Sequence, residues 1–360
     1  MKVPGTGRKG WAKAGKILAV LLVLLLTFAV KPAVLQIGGV GGFQTTTTDD
    51  SSYRWGLSSI DAPKAWEVTR GSEKITVAVI DSGIDRSIPH LQENLWVNEE
   101  EIPGDGIDND GNGYVDDVHG WDFRDDKPQP PASKDLHYHG TFVSSLIASM
   151  VDDDTGAGGV APKVRIMDLR FLNSSGQFTT SDWNKLVKSI DYAVDNGARI
   201  INLSVYSSAT PPDFVREAFQ RAEREGVLII GIAGNENSKV GHFGKWPEVL
   251  AVGALNRGDS AASFSNHGPE VELSAPGAGV LSLTPGGKTS TGSGTSFAAP
   301  HVAGTAALLL SLHPDLTNDQ LKEVLLSSTE EVEDPGPTNR TGQGKVNAQK
   351  AIQNLQHLNE

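Results

Sequence analysis

Short apolar runs alternate with amphipathic stretches along most of the chain. Residues 181–197 and 212–226 repeat apolar positions with the helical period and end at glycine, as helices commonly do. Near-continuous apolar runs separated by such helices are typical of a parallel sheet buried on both faces. We therefore predict a three-layer α/β/α fold with a mostly parallel central sheet over residues 53–358. Its predicted strands are KITVAVI (74–80), VRIMDLRFL (164–172), ARIINLSV (198–205), GVLIIGIA (226–233) and VLAVGAL (249–255).

The start of the chain has a different pattern. Residues 1–31 contain six basic residues and no acidic one, and they include the apolar run Ile17–Val30. This run spans about 21 Å as a helix, whereas a bilayer core needs a helix of about 30 Å. We predict that residues 1–30 are a signal peptide, with an uncleaved N-terminal membrane anchor at residues 17–30 as the alternative. Either reading places the protein outside the cytoplasm, secreted or membrane-anchored, and the Gly/Thr-rich residues 31–52 are expected to form a linker.

Composition and charge exclude some functions. Beyond residue 31 the chain has 25 basic and 44 acidic residues, a net charge of −19. Such a balance repels nucleic acid, so no nucleic-acid partner is expected, and cation binding is favoured. The chain has no cysteine, so disulfides cannot stabilise it and a metal is a candidate for that role. The oligomeric state is not indicated, and a monomer is the default expectation.

Two histidines separated by one residue could form a metal site or include a catalytic histidine. His137 and His139 on a strand would share a face and could chelate a metal. A catalytic zinc needs a third ligand, and the sequence lacks H-E-x-x-H, so this reading is disfavoured. The catalytic reading needs an acid and a nucleophile. Asp81 follows a predicted buried strand, and Ser296 precedes an apolar stretch that predicts a helix, whose N-terminus suits a developing oxyanion.

Three motifs contain these residues in the order Asp, His, Ser. They are DSGID (81–85), HGTFVSSLIA (139–148) and GTSFAAPHVAG (294–304), and they resemble the catalytic motifs of the subtilisin-like serine proteases, the subtilases. Similarity to that family extends from about Tyr53 to Ile352. The resemblance implies a subtilisin-like catalytic domain and an exported serine endopeptidase. A lipase-like hydrolase is disfavoured because the serine lies in G-T-S-F-A rather than G-x-S-x-G.

The resemblance also implies a role for each residue. Ser296 would attack the scissile carbonyl and form an acyl-enzyme, and His139 would take and return the proton. Asp81 would hold the imidazole, while Asn235 and the Ser296 backbone N–H would bind the oxyanion. His137 is expected to lie at the rim of the site without a catalytic role. The family's substrate is an extended polypeptide that pairs with two strand edges, here Ser204, Val205, Tyr206, Ile232, Ala233 and Gly234.

An acidic insertion between the first two motifs predicts a calcium site. Residues 105–117 read DGIDNDGNGYVDD and match a calcium loop of the form D-x-[DN]-x-[DN]-G within an insertion at about 98–123. Position 12 is His119 rather than Glu, so Asp117 or Asp105 would have to supply the bidentate ligand. We expect a structural Ca²⁺, with a solvated acidic loop as the alternative. The predicted ligands are Asp108, Asp110, Asn112, the carbonyl of Tyr114 and Asp116.

Some positions depart from the family pattern. His90 replaces an acid that commonly helps to bind calcium, Val143–Ser145 replaces the usual V-A-G, and Tyr206 stands where glycine is frequent. About 22 residues separate Val30 from Tyr53, too few for the family's folding-assisting propeptide domain. The protein is therefore expected to fold unaided or with help in trans, or the linker tethers an anchored enzyme. The changes in the groove leave a non-catalytic peptide-binding module with this fold as an alternative, and the acidic loop leaves a calcium-dependent adhesion module.

Overall fold

The structure is a computed structural model that describes residues 34–36, 54–130, 136–152, 156–332 and 340–357. Its strands are β1 (Val34–Gln36), β2 (Thr76–Asp81), β3 (Gly120–Asp122), β4 (Lys127–Pro128), β5 (Arg165–Arg170), β6 (Gln177–Thr179), β7 (Ile200–Leu203), β8 (Leu228–Ile232), β9 (Val249–Leu255), β10 (Leu273–Pro276), β11 (Val280–Thr284) and β12 (Lys288–Gly292). Its helices are α1 (Trp55–Ser59), α2 (Ala62–Ala65), α3 (Pro89–Gln92), α4 (Tyr138–Ala148), α5 (Trp183–Asp195), α6 (Asp213–Arg224), α7 (Thr295–Leu312), α8 (Asn318–Ser327) and α9 (Ala348–His357).

Eight of these strands form the central sheet, in the order β10-β9-β8-β7-β2-β5-β3-β4. Neighbouring strands are parallel except for the short edge pair β3 and β4. Strands that run in the same direction have their carboxyl ends at one edge of the sheet, where ligands bind in such folds. Asp81 is the last residue of β2 and pairs with Arg170 of β5 at this edge.

Alternate side chains of β2 pack into two different hydrophobic clusters, one on each face of the sheet. Val77 and Val79 pack in a cluster with residues of α4, α7, α8 and α9. Ala78 and Ile80 pack in a second cluster with residues of α5 and α6. Because side chains of a strand alternate between its faces, helices cover the sheet on both sides. The predicted three-layer α/β/α fold with a mostly parallel sheet is confirmed.

The central helix α7 is buried along almost its whole length. Within the described ranges it is the one helix long and apolar enough to cross a membrane, and 89% of that apolar window is buried inside the protein. It is therefore a core helix. Pro300 lies inside it and has no N–H for the carbonyl four residues earlier, which belongs to Ser296.

The N-terminal region is described only in part. Val34–Gln36, within the predicted linker, forms β1 and pairs antiparallel with β6, so that Leu35 lies opposite Phe178. The predicted signal peptide or anchor at residues 1–30, including the apolar run 17–30, lies outside the described residues. The remaining linker residues, 31–33 and 37–52, also lie outside them.

Candidate active site

The carboxylate at the end of β2 contacts the imidazole in the first turn of α4. His139 Nδ1 lies 2.9 Å from both Oδ1 and Oδ2 of Asp81. The N–H of Ser82 donates to Asp81 Oδ1 at 2.7 Å. His139 is fully buried and Asp81 is 1% exposed. A carboxylate against Nδ1 fixes the tautomer that carries its proton there, so Nε2 is left as the basic nitrogen.

A serine hydroxyl joins the two segments that carry this pair. Ser82 Oγ donates to the carbonyl of His137 at 2.9 Å and accepts the N–H of Gly140 at 2.9 Å. The backbones approach so closely that a Cβ on Gly140 would lie 2.5 Å from the carbonyl oxygen of Gly83. Residues 81–83 and 137–140 are thus in direct backbone contact, and this contact sets the position of His139.

Ser296 is the second residue of α7 and is fully buried. Its Oγ and Nε2 of His139 are both buried and find no hydrogen-bond partner within the described part of the chain. The ring of Phe297, the next residue, lies 5.3 Å from the His139 ring between centroids. The start of α7 therefore lies beside the histidine, and each of the two side chains keeps a polar atom available for chemistry.

Asn235 follows β8 and is held by one end of its amide. Its Oδ1 accepts the N–H of Thr295 at 2.8 Å and the Thr295 hydroxyl at 2.9 Å. Its Nδ2 is buried and has no partner among the residues that the structure covers. Because Thr295 directly precedes Ser296, the Asn235 amide and the first N–H groups of α7 lie together. Two such donors can bind a developing oxyanion.

The sequence interpretation missed the support of this asparagine. Glu236 accepts the N–H of Asn235 at 3.0 Å and the Nδ2 of Asn266 at 2.8 Å. Asn266 Oδ1 in turn accepts the N–H groups of Glu236 and Ser238, at 2.8 Å and 2.9 Å. Nothing in the local sequence connects Asn266 to Asn235, because the contact joins segments about 30 residues apart.

In the two predicted substrate-binding segments most side chains are buried, which leaves mainly backbone groups for contact with a substrate. Val205, Ile232 and Ala233 are at most 3% exposed, so their side chains belong to the core. Ser204 is also buried, and its Oγ donates to the carbonyl of Ser296 at 3.0 Å. The partly buried Tyr206 is the exception, since its ring lies against Gly234. The role of these segments in binding substrate stays a prediction.

His137 and His139 do not form a metal site with a third ligand in the described structure. Their rings are 6.4 Å apart between centroids. Burial, and secondarily the nearby His139, lowers the pKa of His137 to about 4, so His137 is neutral at neutral pH. Of the residues described, the one group of three side chains that could hold a metal is Glu101, Asp110 and Asp117.

The predicted calcium ligands of the acidic loop make different kinds of contact in the structure. Asp108 accepts N–H groups of its own turn, including that of Gly113 at 2.9 Å. Asp116 accepts the N–H of Gly104 at 2.6 Å and that of Gly106 at 3.1 Å. Both carboxylates therefore stabilise loop backbone. Glu101 also accepts loop N–H groups, those of Asn109 at 2.7 Å and Asp116 at 2.9 Å. Asp110 contacts Asp108 and is the predicted ligand that also lies with Glu101 and Asp117.

Carboxylate oxygens of Glu101, Asp110 and Asp117 lie within 4.8 Å of one another. Asp117 is fully buried, and burial raises the pKa of its carboxyl. The Asn98 amide donates to Asp110 at 2.9 Å and to Asp117 at 2.8 Å, and Asn112 donates to both at 2.8 Å. An all-oxygen group that includes a buried carboxylate fits a hard cation such as Ca²⁺.

An aromatic cluster packs beside the acidic group of Glu101, Asp110 and Asp117. The Tyr114 ring makes edge contacts with Trp121, Phe123 and Tyr192, at centroid distances of 5.1–5.6 Å. The Tyr192 hydroxyl donates to Asp117 Oδ2 at 2.6 Å. The loop is thus fixed to the second core cluster through Asp117.

A buried Asp–His contact at the sheet edge, with a serine at the start of the adjacent buried helix, is an arrangement typical of serine hydrolases. The subtilase family model matches residues 72–344. Subtilisin from Bacillus pumilus is 33% identical over 307 residues, 84% of this chain and 99% of that protein. Thermitase from Thermoactinomyces vulgaris is 30% identical over 304 residues, 84% of this chain and 97% of that protein. An intracellular serine protease of Paenibacillus polymyxa is 35% identical over 287 residues, 76% of this chain and 79% of that protein.

The chain therefore belongs to the subtilase family, and it is a serine endopeptidase.

Proposed function

We propose that this protein is an exported endopeptidase that cleaves extended polypeptides with Asp81, His139 and Ser296. The observation that carries the assignment is the buried Asp81–His139 contact at 2.9 Å, beside a buried serine with a free hydroxyl oxygen. Ser296 Oγ attacks the scissile carbonyl carbon, and His139 Nε2 takes its proton. The Asp81 carboxylate stabilises the resulting imidazolium and holds the ring in place.

Collapse of the tetrahedral intermediate breaks the C–N bond, and His139 returns the proton to the leaving amine. The acyl-enzyme on Ser296 is then hydrolysed by water in the same manner. In both steps Asn235 Nδ2 and the Ser296 N–H donate to the oxyanion. The contacts of Oδ1 with Thr295 support this role, because they keep the NH₂ end of the amide free.

Substrate binding rests on backbone pairing along the edges at residues 204–206 and 232–234. Pairing through main-chain groups binds an extended strand with little demand on its sequence. The small side-chain contribution of these segments supports this mode.

The acidic loop is proposed to bind a structural Ca²⁺. Glu101, Asp110 and Asp117 would hold it. Asn98 and Asn112 now donate their NH₂ groups to these carboxylates, and rotation of the two amides would add their oxygens as ligands. A bound Ca²⁺ supplies positive charge between carboxylates that otherwise repel one another. Its proposed effect is on stability, because offsetting the repulsion between these carboxylates favours the folded loop.

Export is proposed from the basic start and the apolar run 17–30. N-terminal sequencing of protein recovered from the culture medium and from membranes distinguishes cleavage from anchoring. Recovery of the full chain from the cytoplasm alone would contradict export.

Labelling with a fluorophosphonate probe tests the catalytic assignment. Wild type is expected to label at Ser296 and to cleave an unfolded protein substrate, while Ser296→Ala does neither. If folded wild type does not label in the presence of calcium, the peptide-binding alternative is favoured instead.

A further inference from the structure

Three chain segments form a narrow slot beside Asn235. The N–H of Gly241 donates to the carbonyl of Ala233 at 3.1 Å, and the N–H of His242 donates to the carbonyl of Ser207 at 3.1 Å. These bonds fix the segments that follow β7 and β8 against residues 241–242. The slot lies between Gly234 and Gly241, the two glycines that line it.

The ring of Tyr206 fills this slot. A Cβ on Gly234 would lie 2.7 Å from Cε2 and 2.8 Å from Cδ2 of that ring, and a Cβ on Gly241 would lie 2.7 Å from both atoms. Side-chain carbons do not normally approach so closely, so the same edge of the ring rests directly on both glycines. Gly234 also has a φ of +112°, which other residues rarely adopt.

The slot opens beside the reacting groups. The N–H of Gly234 donates to Thr295 Oγ1 at 3.2 Å, and Thr295 precedes Ser296. A scissile carbonyl bound by Asn235 has its own Cα only about 1.5 Å away. That substrate residue therefore lies close to Gly234, the chain neighbour of Asn235, and the Tyr206 ring rests against Gly234.

We propose that Tyr206 determines cleavage specificity by occupying the side-chain pocket, so that the enzyme cleaves after small residues such as alanine, serine and glycine. The proposal rests on the proposed function. The ring is anchored along its length, because it packs on the core cluster that includes α4 and α7 and its hydroxyl lies near Glu236 and Asn266. Burial, and next the Glu236 carboxylate, raises the pKa of Tyr206, which keeps the hydroxyl protonated.

Peptide p-nitroanilides of the form succinyl-Ala-Ala-Pro-Xaa, with Xaa as alanine, leucine or phenylalanine, test the proposal. Wild type is expected to have a higher kcat/KM for alanine than for phenylalanine. Tyr206→Gly opens the slot and should shift this ratio toward phenylalanine by about 100-fold, the size of effect that a change of pocket volume produces. Tyr206→Phe keeps the ring and should keep the preference for alanine.

Fluorophosphonate titration of Ser296 gives the concentration of folded active sites for each variant. A wild type that prefers phenylalanine overturns the proposal, as does a labelled Tyr206→Gly variant whose ratio is unchanged. If Tyr206→Gly does not fold, Tyr206→Ala, which also removes the ring, takes its place, and the same shift toward phenylalanine is expected. Failure of the proposed function looks different, since wild type would then neither label nor cleave any of the three substrates.

Discussion

The Ser204 hydroxyl donates to the carbonyl oxygen of Ser296 at 3.0 Å. In an uninterrupted helix that carbonyl would accept the N–H of residue 300, but Pro300 has none. Ser204 therefore replaces a missing helical hydrogen bond, and Asn202 Nδ2 donates to Ser204 Oγ at 2.9 Å to complete the chain of contacts. The backbone of Ser296 is thus fixed by a hydrogen bond from Ser204, which directly follows β7.

Ser204→Ala should leave the Ser296 carbonyl buried without a donor. We expect a loss of about 1–3 kcal/mol in the free energy of unfolding, because an unsatisfied buried acceptor costs about that much. A fall in kcat should accompany it. Chemical denaturation and steady-state kinetics measure the two effects.

The double variant Ser204→Ala/Pro300→Ala provides the matched control. Replacing the proline restores an N–H at the position where the helix needs one, so part of the lost stability should return. If the double variant is as unstable as the sum of the two single variants, the two sites do not share this hydrogen bond.

His139→Ala should abolish turnover, whereas His137→Ala should at most change KM or the pH profile. Loss of the catalytic histidine in subtilisins themselves lowers kcat by about 10⁶-fold. The burial that lowers the pKa of His137 to about 4 keeps it neutral at neutral pH. Equal losses in the two variants would mean that His137 also takes part in proton transfer.

Asn235→Ala should lower kcat with little change in KM, because it removes a donor needed in the transition state. The expected factor of about 10²–10³ is the one known for such donors in the subtilisin family itself. Asn235→Asp keeps an acceptor for Thr295 but has no NH₂ group, so it should be at least as impaired. Normal kcat in Asn235→Asp would exclude the proposed oxyanion role.

Calcium should raise the thermal midpoint, and chelation should lower it. Glu101→Gln should diminish this response, because it removes a carboxylate from the group around Asp117. Asp116→Asn changes an acid that contacts loop N–H groups, and its calcium response should persist. Differential scanning fluorimetry with Ca²⁺ and with EDTA separates the two variants. A response lost only in Asp116→Asn would favour the ligand set predicted from the loop spacing.

Stability should fall as the pH falls from about 6.5 to about 4. Burial lowers the pKa of His301 to about 4, while its Nδ1 contacts the Phe297 carbonyl at 2.8 Å. The unfolded chain therefore binds a proton at a higher pH than the folded chain, and the stabilising contribution is complete only above about 6.5. Denaturation across this range should show a smaller slope for His301→Gln. The pKa of His137 is lowered in the same way, but His137 is present in both proteins and contributes equally to their slopes. An unchanged slope would therefore show that His301 does not titrate on unfolding.

Apolar periodicity was sufficient to predict the sheet. The predicted strand 249–255 coincides with β9, and the predicted helix 181–197 contains α5. The other predicted strands extend one or two residues beyond the observed ends, except that 74–80 stops one residue before the end of β2 at Asp81. Most of the excess arises because apolar side chains continue into loops that pack on the core. The family, the fold and the serine endopeptidase activity are confirmed.

The site was less predictable where it depends on distant side chains. Motifs identify Asp81 and His139, which the structure brings into contact. The roles of Glu236, Asn266 and Ser204 arise from contacts between segments that are remote in sequence. For Ser204 a signal did exist, since a proline within the helix implies a carbonyl that needs another donor. The acidic loop spacing did not reveal Glu101, because that residue precedes the motif.

The contacts that bring the separate segments of the site together cross long stretches of chain. Asp81 and His139 are 58 residues apart, Asn235 and Thr295 are 60 apart, and Ser204 and Ser296 are 92 apart. Such non-local pairings form late and slowly in folding. A nascent or half-folded chain therefore has no working protease, and tertiary assembly itself protects the newly made molecule from digesting its neighbours.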